Sequence, residues 1–225
     1  NGLVAHEYLQ SWQTATNSWK PSNITTYDYN AAGLRTLYQR VFWNGSAWLN
    51  QEQLIDVYDD ANRPLTETST TGSGTAWVND MRHSYQYDAN GNQTIYSFYQ
   101  WNTSSNTWKN VWRDLYTYNS NNLVTGWTDQ NYSTQWDNNY KVDYTYNSAN
   151  LKETTLESRW TGTWNNYYMI LDQYNTRGFV TVEKVQYWDG SAFVDSTRAT
   201  TARNNADQTL NILNETYTAG AWSAK

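Results

Sequence analysis

The chain has 225 residues, enough for one large domain or two small ones, and a net charge of −6 from 15 basic and 21 acidic residues. The absence of cysteine excludes disulfides and thiolate metal sites, and the acidic balance argues against nucleic acid as a partner. Aromatic residues make up 17% of the chain, with 14 Trp and 20 Tyr. Because each such ring can bury about 150–250 Å², the composition predicts an aromatic core.

In chain order, a short motif that ends a strand on tyrosine and opens a turn on Asn or Asp occurs seven times. The copies are YDYNAAGL (27–34), VYDDANRP (57–64), YQYDANGNQT (85–94), YTYNSNNL (116–123), YTYNSANL (144–151), QYNTRGF (173–179) and ARNNADQ (202–208). Its anchor residue, the last strand residue before the Asx, recurs every 28 to 31 residues. A near-constant period of this kind indicates a repeat architecture.

The residue types at two positions of the motif predict a tight turn. The position after the anchor is always Asn or Asp, whose side chain can bond the backbone two residues on. The fourth position after the anchor is always Gly, Asn or Asp, the residues that best tolerate a left-handed backbone. We call this the Asx turn, and we expect positive φ at its fourth position.

A second turn lies between aromatic residues, as in WNGSAW (43–48) and WDGSAF (188–193), where Asn-Gly and Asp-Gly are hairpin signals. In every copy, the aromatic residue that opens the strand after this turn lies ten residues before the anchor. A further aromatic lies fourteen residues after the anchor in every copy but one, where Gly72 takes its place. Because ten is even, a regular strand would place the strand-opening aromatic and the anchor on the same face of the sheet. The predicted structural ladder is Trp19, Tyr29, Trp48, Tyr58, Trp77, Tyr87, Trp108, Tyr118, Trp136, Tyr146, Trp164 and Tyr174.

The predicted fold is all-β. Eight tryptophan-side turns and seven Asx turns give about 16 strands, from seven to eight two-strand repeats of roughly 29 residues. All connections are short, which favours an antiparallel up-and-down meander over 1–225 as a single continuous domain. Because open sheets rarely pass about 10 strands without curling, we expect a coiled or rolled sheet. No helical periodicity is present.

The copy YQYDANGNQT resembles the Rhs or YD-repeat unit, whose core is Tyr-x-Tyr-Asp-x-x-Gly. Tyr85, Tyr87, Asp88 and Gly91 match it, and YDYNAAGL matches with Asn30 for Asp. The other copies drift to Asn, and the tryptophan-side turn is typical of a divergent Trp/Tyr-rich subfamily. The resemblance implies a spiralling β-sheet and an extracellular or cell-surface protein, and it carries over no functional residue.

The regular rings are expected to fill the sheet interior, whereas Trp112 and Trp127 lie off the ladder positions and are the candidate exposed platforms for sugar binding. Asp59 and Asp60 are adjacent, but Asx residues are expected in a turn. His6 and His83 are the only histidines, and neither lies near a nucleophile motif. The sequence therefore predicts no catalytic residue, no metal site and no cofactor.

These features predict a secreted or cell-surface protein, of bacterial type, that is not an enzyme. Its expected role is structural or adhesive, as a segment of a fibre, sheath or adhesin; the alternative is a carbohydrate-binding module. The expected partners are a further copy of the chain, through the sheet edges, or a glycan. No apolar run approaches the roughly 20 residues of a membrane helix, so no membrane insertion is expected.

The phase of the repeat at the two ends gives a further expectation. Counting back from Trp12 places Gly2 at the fourth position of an Asx turn, and Trp222 opens a strand that Lys225 would stop early. Both ends are therefore predicted to lie within a repeat. Two explanations stay open: a piece of a longer array, or head-to-tail association through uncapped edge strands.

Overall fold

The computed structural model describes residues 3–224, and all regular structure within that range is β-strand. The strands, numbered in chain order, are β1 (His6–Gln13), β2 (Ser18–Tyr29), β3 (Arg35–Trp43), β4 (Trp48–Tyr58), β5 (Pro64–Ser73), β6 (Ala76–Tyr87), β7 (Gln93–Asn102), β8 (Thr107–Tyr118), β9 (Val124–Tyr132), β10 (Trp136–Tyr146), β11 (Lys152–Trp160), β12 (Trp164–Tyr174), β13 (Val180–Trp188), β14 (Phe193–Arg203), β15 (Thr209–Thr218) and β16 (Ala221–Ala224). They form one sheet in sequence order, and every register that is described is antiparallel. The predicted meander of 16 strands is confirmed.

Backbone contacts divide the chain within β8 into two units, one ending at Arg113 and the other beginning at Asp114. The first contains β1 to β7 and the start of β8, and the second contains the rest of β8 and β9 to β16. Both units are built from the same hairpin repeat. No helix among residues 3–224 is long and apolar enough to span a membrane.

The Asx turns form as the residue types predict. In the first copy the Asn30 Oδ1 accepts hydrogen bonds from the backbone N–H groups of Ala32 and Leu34, both at 3.0 Å. The same pair of bonds recurs in the six other copies, on Asp59, Asp88, Asn119, Asn147, Asn175 and Asn204. The fourth position has positive φ in every copy, at Gly33, Asn62, Gly91, Asn122, Asn150, Gly178 and Asp207.

Four anchor tyrosines hold the open ends of their tryptophan-side hairpins. The hydroxyl of each of these anchors donates a hydrogen bond to a backbone carbonyl at, or just before, the start of the preceding strand. The pairs are Tyr29 with Val4 (3.0 Å), Tyr87 with Pro64 (2.9 Å), Tyr146 with Val124 (2.7 Å) and Tyr174 with Lys152 (2.6 Å). This bond requires the phenol hydroxyl, which gives tyrosine a role at these four positions that phenylalanine could not fill.

Tyr146→Phe is therefore expected to destabilise the protein by about 1 kcal/mol, because it removes one hydrogen bond and keeps the ring. Chemical denaturation followed by tryptophan fluorescence measures the change. The control is Tyr132→Phe, since the Tyr132 hydroxyl makes no hydrogen bond within residues 3–224, and its effect should stay within about 0.5 kcal/mol. Equal effects of the two substitutions would contradict a role for the anchor hydroxyl.

A bulge in the even-numbered strands separates the two aromatic ladders. The register skips one residue three positions after the strand-opening aromatic, at Ser22, Gln51, Asp80, Asn139, Tyr167 and Ser196. One extra residue reverses the alternation of side chains along a strand. Trp48 therefore lies on one face with Asn50 and Gln53, and Tyr58 lies on the other with Asp56. The expectation that both ladders share a face is wrong; we call the two sides the tryptophan face and the tyrosine face.

Burial is shallow on both faces. Among residues 3–224, Val142, 6% exposed, is the one apolar side chain with less than a tenth of its surface exposed. The other residues in the buried class are polar or glycine, as with Ser158, Ser97 and Thr70. The expected aromatic core is thus replaced by half-buried rings. Cross-strand pairs, Asx turns and tyrosine hydrogen bonds stabilise the sheet in its place.

Candidate functional site: an aromatic cleft on the tyrosine face

The tryptophan face carries paired rings at the hairpin turns. Each pair is edge-to-face with centroids 5.1–5.4 Å apart: Trp12–Trp19, Trp43–Trp48, Trp101–Trp108, Tyr132–Trp136, Trp160–Trp164, Trp188–Phe193 and Tyr217–Trp222. Trp19 is 59% exposed, and the other ladder tryptophans are half-buried. Arg82 lies 4.3 Å over the Trp108 ring and covers it. The pairs therefore have a structural explanation in the turns that they flank.

In the first unit the tyrosine face carries a patch of five rings in which Trp112 takes part. Tyr96 stacks on Tyr85 with centroids 5.1 Å apart and lies beside His83, whose Nδ1 is 2.7 Å from the Tyr96 hydroxyl. Trp112 packs edge-on against Tyr96 at 5.2 Å and tilted against Phe98 at 5.7 Å. All five rings are half-buried. Trp112 is thus a packed member of a patch, with part of its surface open to solvent.

In the second unit Trp127 lies on β9, opposite the buried Val142 of β10. Its ring meets Tyr140 at 90° with centroids 5.1 Å apart, and the ring is half-buried. Its indole N–H lies near the Asp114 carboxyl, although within residues 3–224 the buried Nε1 has no partner of hydrogen-bonding geometry. The tryptophan is therefore fixed at one edge while the rest of the ring borders a cleft.

Asp114 belongs to the buried class of residues and lies next to the Trp127 indole. Burial raises the pKa of its carboxyl, the neighbouring Trp127 indole lowers it, and the negative charge of Asp129 raises it. The net shift is upward. The folded protein thus keeps the Asp114 proton to a higher pH than the unfolded chain does.

Asp114→Asn is accordingly expected to raise the melting temperature near neutral pH. Because the folded-state pKa lies above the unfolded one, ionisation of Asp114 favours unfolding, and stability falls as pH rises through the folded pKa. This gain in melting temperature should vanish at a pH below the ordinary pKa of a carboxyl group, where Asp114 is protonated in both the folded and the unfolded state. Melting curves across pH measure this. Asp60→Asn, at an exposed turn position, should change little at any pH.

The cleft beside Trp127 has a volume of about 460 Å³, within the range of small-molecule sites. It is lined by Tyr116, Val124, Trp127, Tyr144, Tyr146 and Lys152. These residues come from β8, β9, β10 and β11, at the strand ends next to the Asx turns. The Lys152 Nζ lies 5.5 Å from the centroid of the Tyr144 ring. Four rings and one cation therefore converge on one groove.

The tyrosine face also holds a charged groove that sequence analysis missed. In the first unit a cavity of about 230 Å³ is bordered by Arg35, Asp56 and Glu67 together with tyrosines. Asp56 and Glu67 are direct cross-strand partners, and Arg35 bonds Asp56 at 2.8 Å and lies 3.9 Å from Glu67. Asp56 and Glu67 occupy the positions that Tyr85 and Tyr96 occupy in the next repeat.

The acid pair recurs once in the second unit, where Asp172 faces Glu183 across β12 and β13. Burial raises the pKa of Asp172, Lys152 lowers it and Glu183 raises it, with an upward net shift. Lys152 is the structural equivalent of Arg35, since each pairs with the anchor of its own turn. The signal was present in the sequence: Asp replaces Tyr two residues before the anchor in these two copies.

Among residues 3–224 no group of three or more His, Cys, Asp or Glu residues is placed to hold a metal ion. Asp59 and Asp60 are adjacent in sequence but have different surroundings. Asp59 accepts hydrogen bonds from its own turn and from Arg63 at 2.7 Å, whereas Asp60 is exposed. The aromatic cleft, by contrast, combines four rings and one cation on a single groove.

No family model matches the chain, and neither does any curated protein. Among solved structures, a protein of unknown function from Bacteroides fragilis NCTC 9343 is 16% identical, with 54% of this chain and 91% of that chain covered and a TM-score of 0.42. A DUF3836 family protein from Bacteroides vulgatus ATCC 8482 is 28% identical, with 43% and 83% covered and a TM-score of 0.28. A TcdB2-TccC3 crystal structure is 15% identical, with 92% and 14% covered and a TM-score of 0.40. At these scores no function is assigned by likeness.

Proposed function

We propose that the chain is a non-enzymatic, extracellular structural or adhesive repeat protein, a segment of a bacterial cell-surface fibre, sheath or adhesin. The observation that carries the proposal is a sheet of repeated hairpins with both faces open to solvent, in which Val142 is the one apolar side chain of residues 3–224 in the buried class. A repeat body stabilised by neighbour contacts can be extended without redesign of a central core. The resemblance of YQYDANGNQT to the Rhs unit supports the extracellular part of the proposal.

The partner in this proposal is a second copy that continues the sheet at its edges. Strand β1 pairs with β2, and all eight of its residues are exposed, including Tyr8, Leu9 and Trp12. An exposed edge strand of this kind is a template for another strand. A head-to-tail contact between unlike edges gives an open fibre, since the operation need not close.

Sedimentation velocity and negative-stain imaging over a concentration range test the assembly. We expect particles that lengthen with concentration, and we expect Tyr8→Pro to suppress them. The Tyr27 N–H donates to the Ala5 carbonyl at 2.8 Å, so by antiparallel alternation the Tyr8 N–H points away from β2. Proline there removes an outward donor and spares the β1–β2 bonds. A wild-type particle that stays monomeric at every concentration would contradict edge assembly.

The second candidate function is carbohydrate binding, which the cleft beside Trp127 favours. Its rings offer apolar surfaces to the C–H face of a sugar, and its volume of about 460 Å³ suits a small ligand. This function is compatible with the first, because an adhesive fibre needs a surface that recognises something. Loss of glycan binding on substitution of Trp127, with the fold retained, is the expected result.

A further inference from the structure

We propose that the cleft formed by Tyr116, Val124, Trp127, Tyr144, Tyr146 and Lys152 selects an acidic sugar, a pyranose that carries a carboxylate. The inference rests on the carbohydrate-binding function proposed above and adds the class of ligand. Two observations carry it: the rings that line the cleft, and the sign of the one charge at its border.

The rings supply apolar surfaces that suit the C–H face of a pyranose. Tyr116 and Trp127 lie on β8 and β9, and Tyr144 and Tyr146 lie on β10. The Tyr146 hydroxyl donates to the Val124 carbonyl at 2.7 Å, and the Trp127 ring is held edge-on by Tyr140. Both rings are therefore fixed before a ligand arrives, which lowers the entropic cost of binding.

The charge at the border is a lysine that has no partner in a salt bridge. Within residues 3–224 the Lys152 Nζ forms no ion pair, whereas Lys141 and Lys184 bond carboxylates at 2.6 and 3.0 Å. Lys152 lies half-buried over the Tyr144 ring, and its charge lowers the pKa of Asp172 in the adjoining groove. A ligand carboxylate at the rim would meet a cation that no carboxylate of residues 3–224 bonds directly.

The equivalent groove of the first unit has the opposite lining, which gives the proposal an internal contrast. Asp56 and Glu67 stand there at the positions of Tyr116 and Trp127, and Arg35 is bonded to Asp56 at 2.8 Å. That groove offers carboxylates to a ligand and has its cation occupied, so it should exclude an acidic sugar. The two grooves thus differ in charge at corresponding positions, with carboxylates in one and rings in the other. Their cations come from different places in the repeat, since Arg35 pairs with the anchor before Asp56 and Lys152 pairs with the anchor after Trp127.

The test compares a trigalacturonic acid with its methyl ester, which keeps the sugar rings and removes the charge. Titration of the full chain, followed by calorimetry or tryptophan fluorescence, should show the acid binding about two- to five-fold more tightly than the ester, the scale of one partly exposed charge pair. Added salt should reduce this preference, because it screens the pair.

Lys152→Met should bring the affinity for the acid down to that for the ester. Lys109→Met, at an exposed position of β8, is the matched loss of charge and should preserve the preference. Trp127→Leu should weaken both ligands together, with folding checked by circular dichroism. Asp56→Asn in the contrasting groove should have no effect on either ligand.

Each outcome separates the charge inference from the function on which it rests. Equal binding of acid and ester, or a preference that survives Lys152→Met, would overturn the acidic-sugar inference and leave carbohydrate binding standing. Absence of binding by both ligands and by a panel of neutral oligosaccharides would overturn both. Binding that is indifferent to Trp127→Leu would place the ligand elsewhere and would also overturn the proposal for this cleft.

Discussion

Gly72→Trp should destabilise the protein by more than about 4 kcal/mol, although it restores the aromatic ladder. Position 72 is the one place, fourteen residues after an anchor, where the repeat lacks an aromatic. A consensus argument therefore predicts a stabilising substitution, since consensus residues commonly add stability. The structure predicts the opposite because of what lies against the glycine.

A Cβ added to Gly72 would stand 1.9 Å from the backbone oxygen of Asn50 and 2.2 Å from its carbonyl carbon. The two segments are held at this distance by a hydrogen bond from the Asn50 N–H to the Gly74 carbonyl at 2.9 Å. Because the obstacle is backbone, no change of rotamer can relieve it, and the hairpin must move away from β4. The glycine is required here for close approach and not for an unusual φ.

Denaturant unfolding of Gly72→Trp and Gly72→Ala measures this effect, and both should fall well below wild type. The control is Gly45→Ala in the neighbouring tryptophan-side turn, where φ is +103° and nothing lies within 4 Å of an added Cβ. It should cost only the strain of a left-handed conformation, about 1–2 kcal/mol. Wild-type stability in Gly72→Trp would mean that the contact with Asn50 is not maintained in solution.

Arg35→Met is expected to cost about 2–3 kcal/mol of folding stability. Its partner Asp56 has 7% of its side chain exposed, and Glu67 stands directly opposite. Removing the guanidinium leaves a buried carboxylate beside a second one, and an uncompensated buried charge costs about 3–5 kcal/mol. We take a smaller value because 34% of the Arg35 side chain is exposed, so water screens the pair.

Arg40→Met is the matched control, because the Arg40 side chain has almost the same exposure, 33%, but its partner Glu52 is 49% exposed and 3.9 Å away. Its loss should change the free energy of unfolding by less than about 1 kcal/mol. The triple substitution Arg35→Met, Asp56→Tyr, Glu67→Tyr should recover most of the loss, since it recreates the Tyr85–Tyr96 pair of the next repeat. Equal costs for Arg35→Met and Arg40→Met would show that burial of Asp56 does not matter.

The sequence by itself determined the strands and the turns, because both depend on residues close together in the chain. An Asn or Asp followed three residues later by Gly, Asn or Asp forms the Asx turn through bonds to its own backbone, as at Asn147. The fixed spacings between turns then set the length of each strand. A bulged and a regular strand share these spacings, so the sequence could not show that the two ladders lie on opposite faces.

Tertiary structure decided what lies across the strands. The contact of Gly72 with Asn50, the pairing of Asp56 with Glu67 and the convergence of Trp127 with Lys152 all join residues more than ten positions apart. Their placement depends on the register of neighbouring strands, and one skipped residue per strand shifts that register. Trp127 was predicted as a candidate from its position off the ladder, but only the assembled sheet brought Tyr116, Tyr144 and Lys152 beside it, because each comes from a different strand.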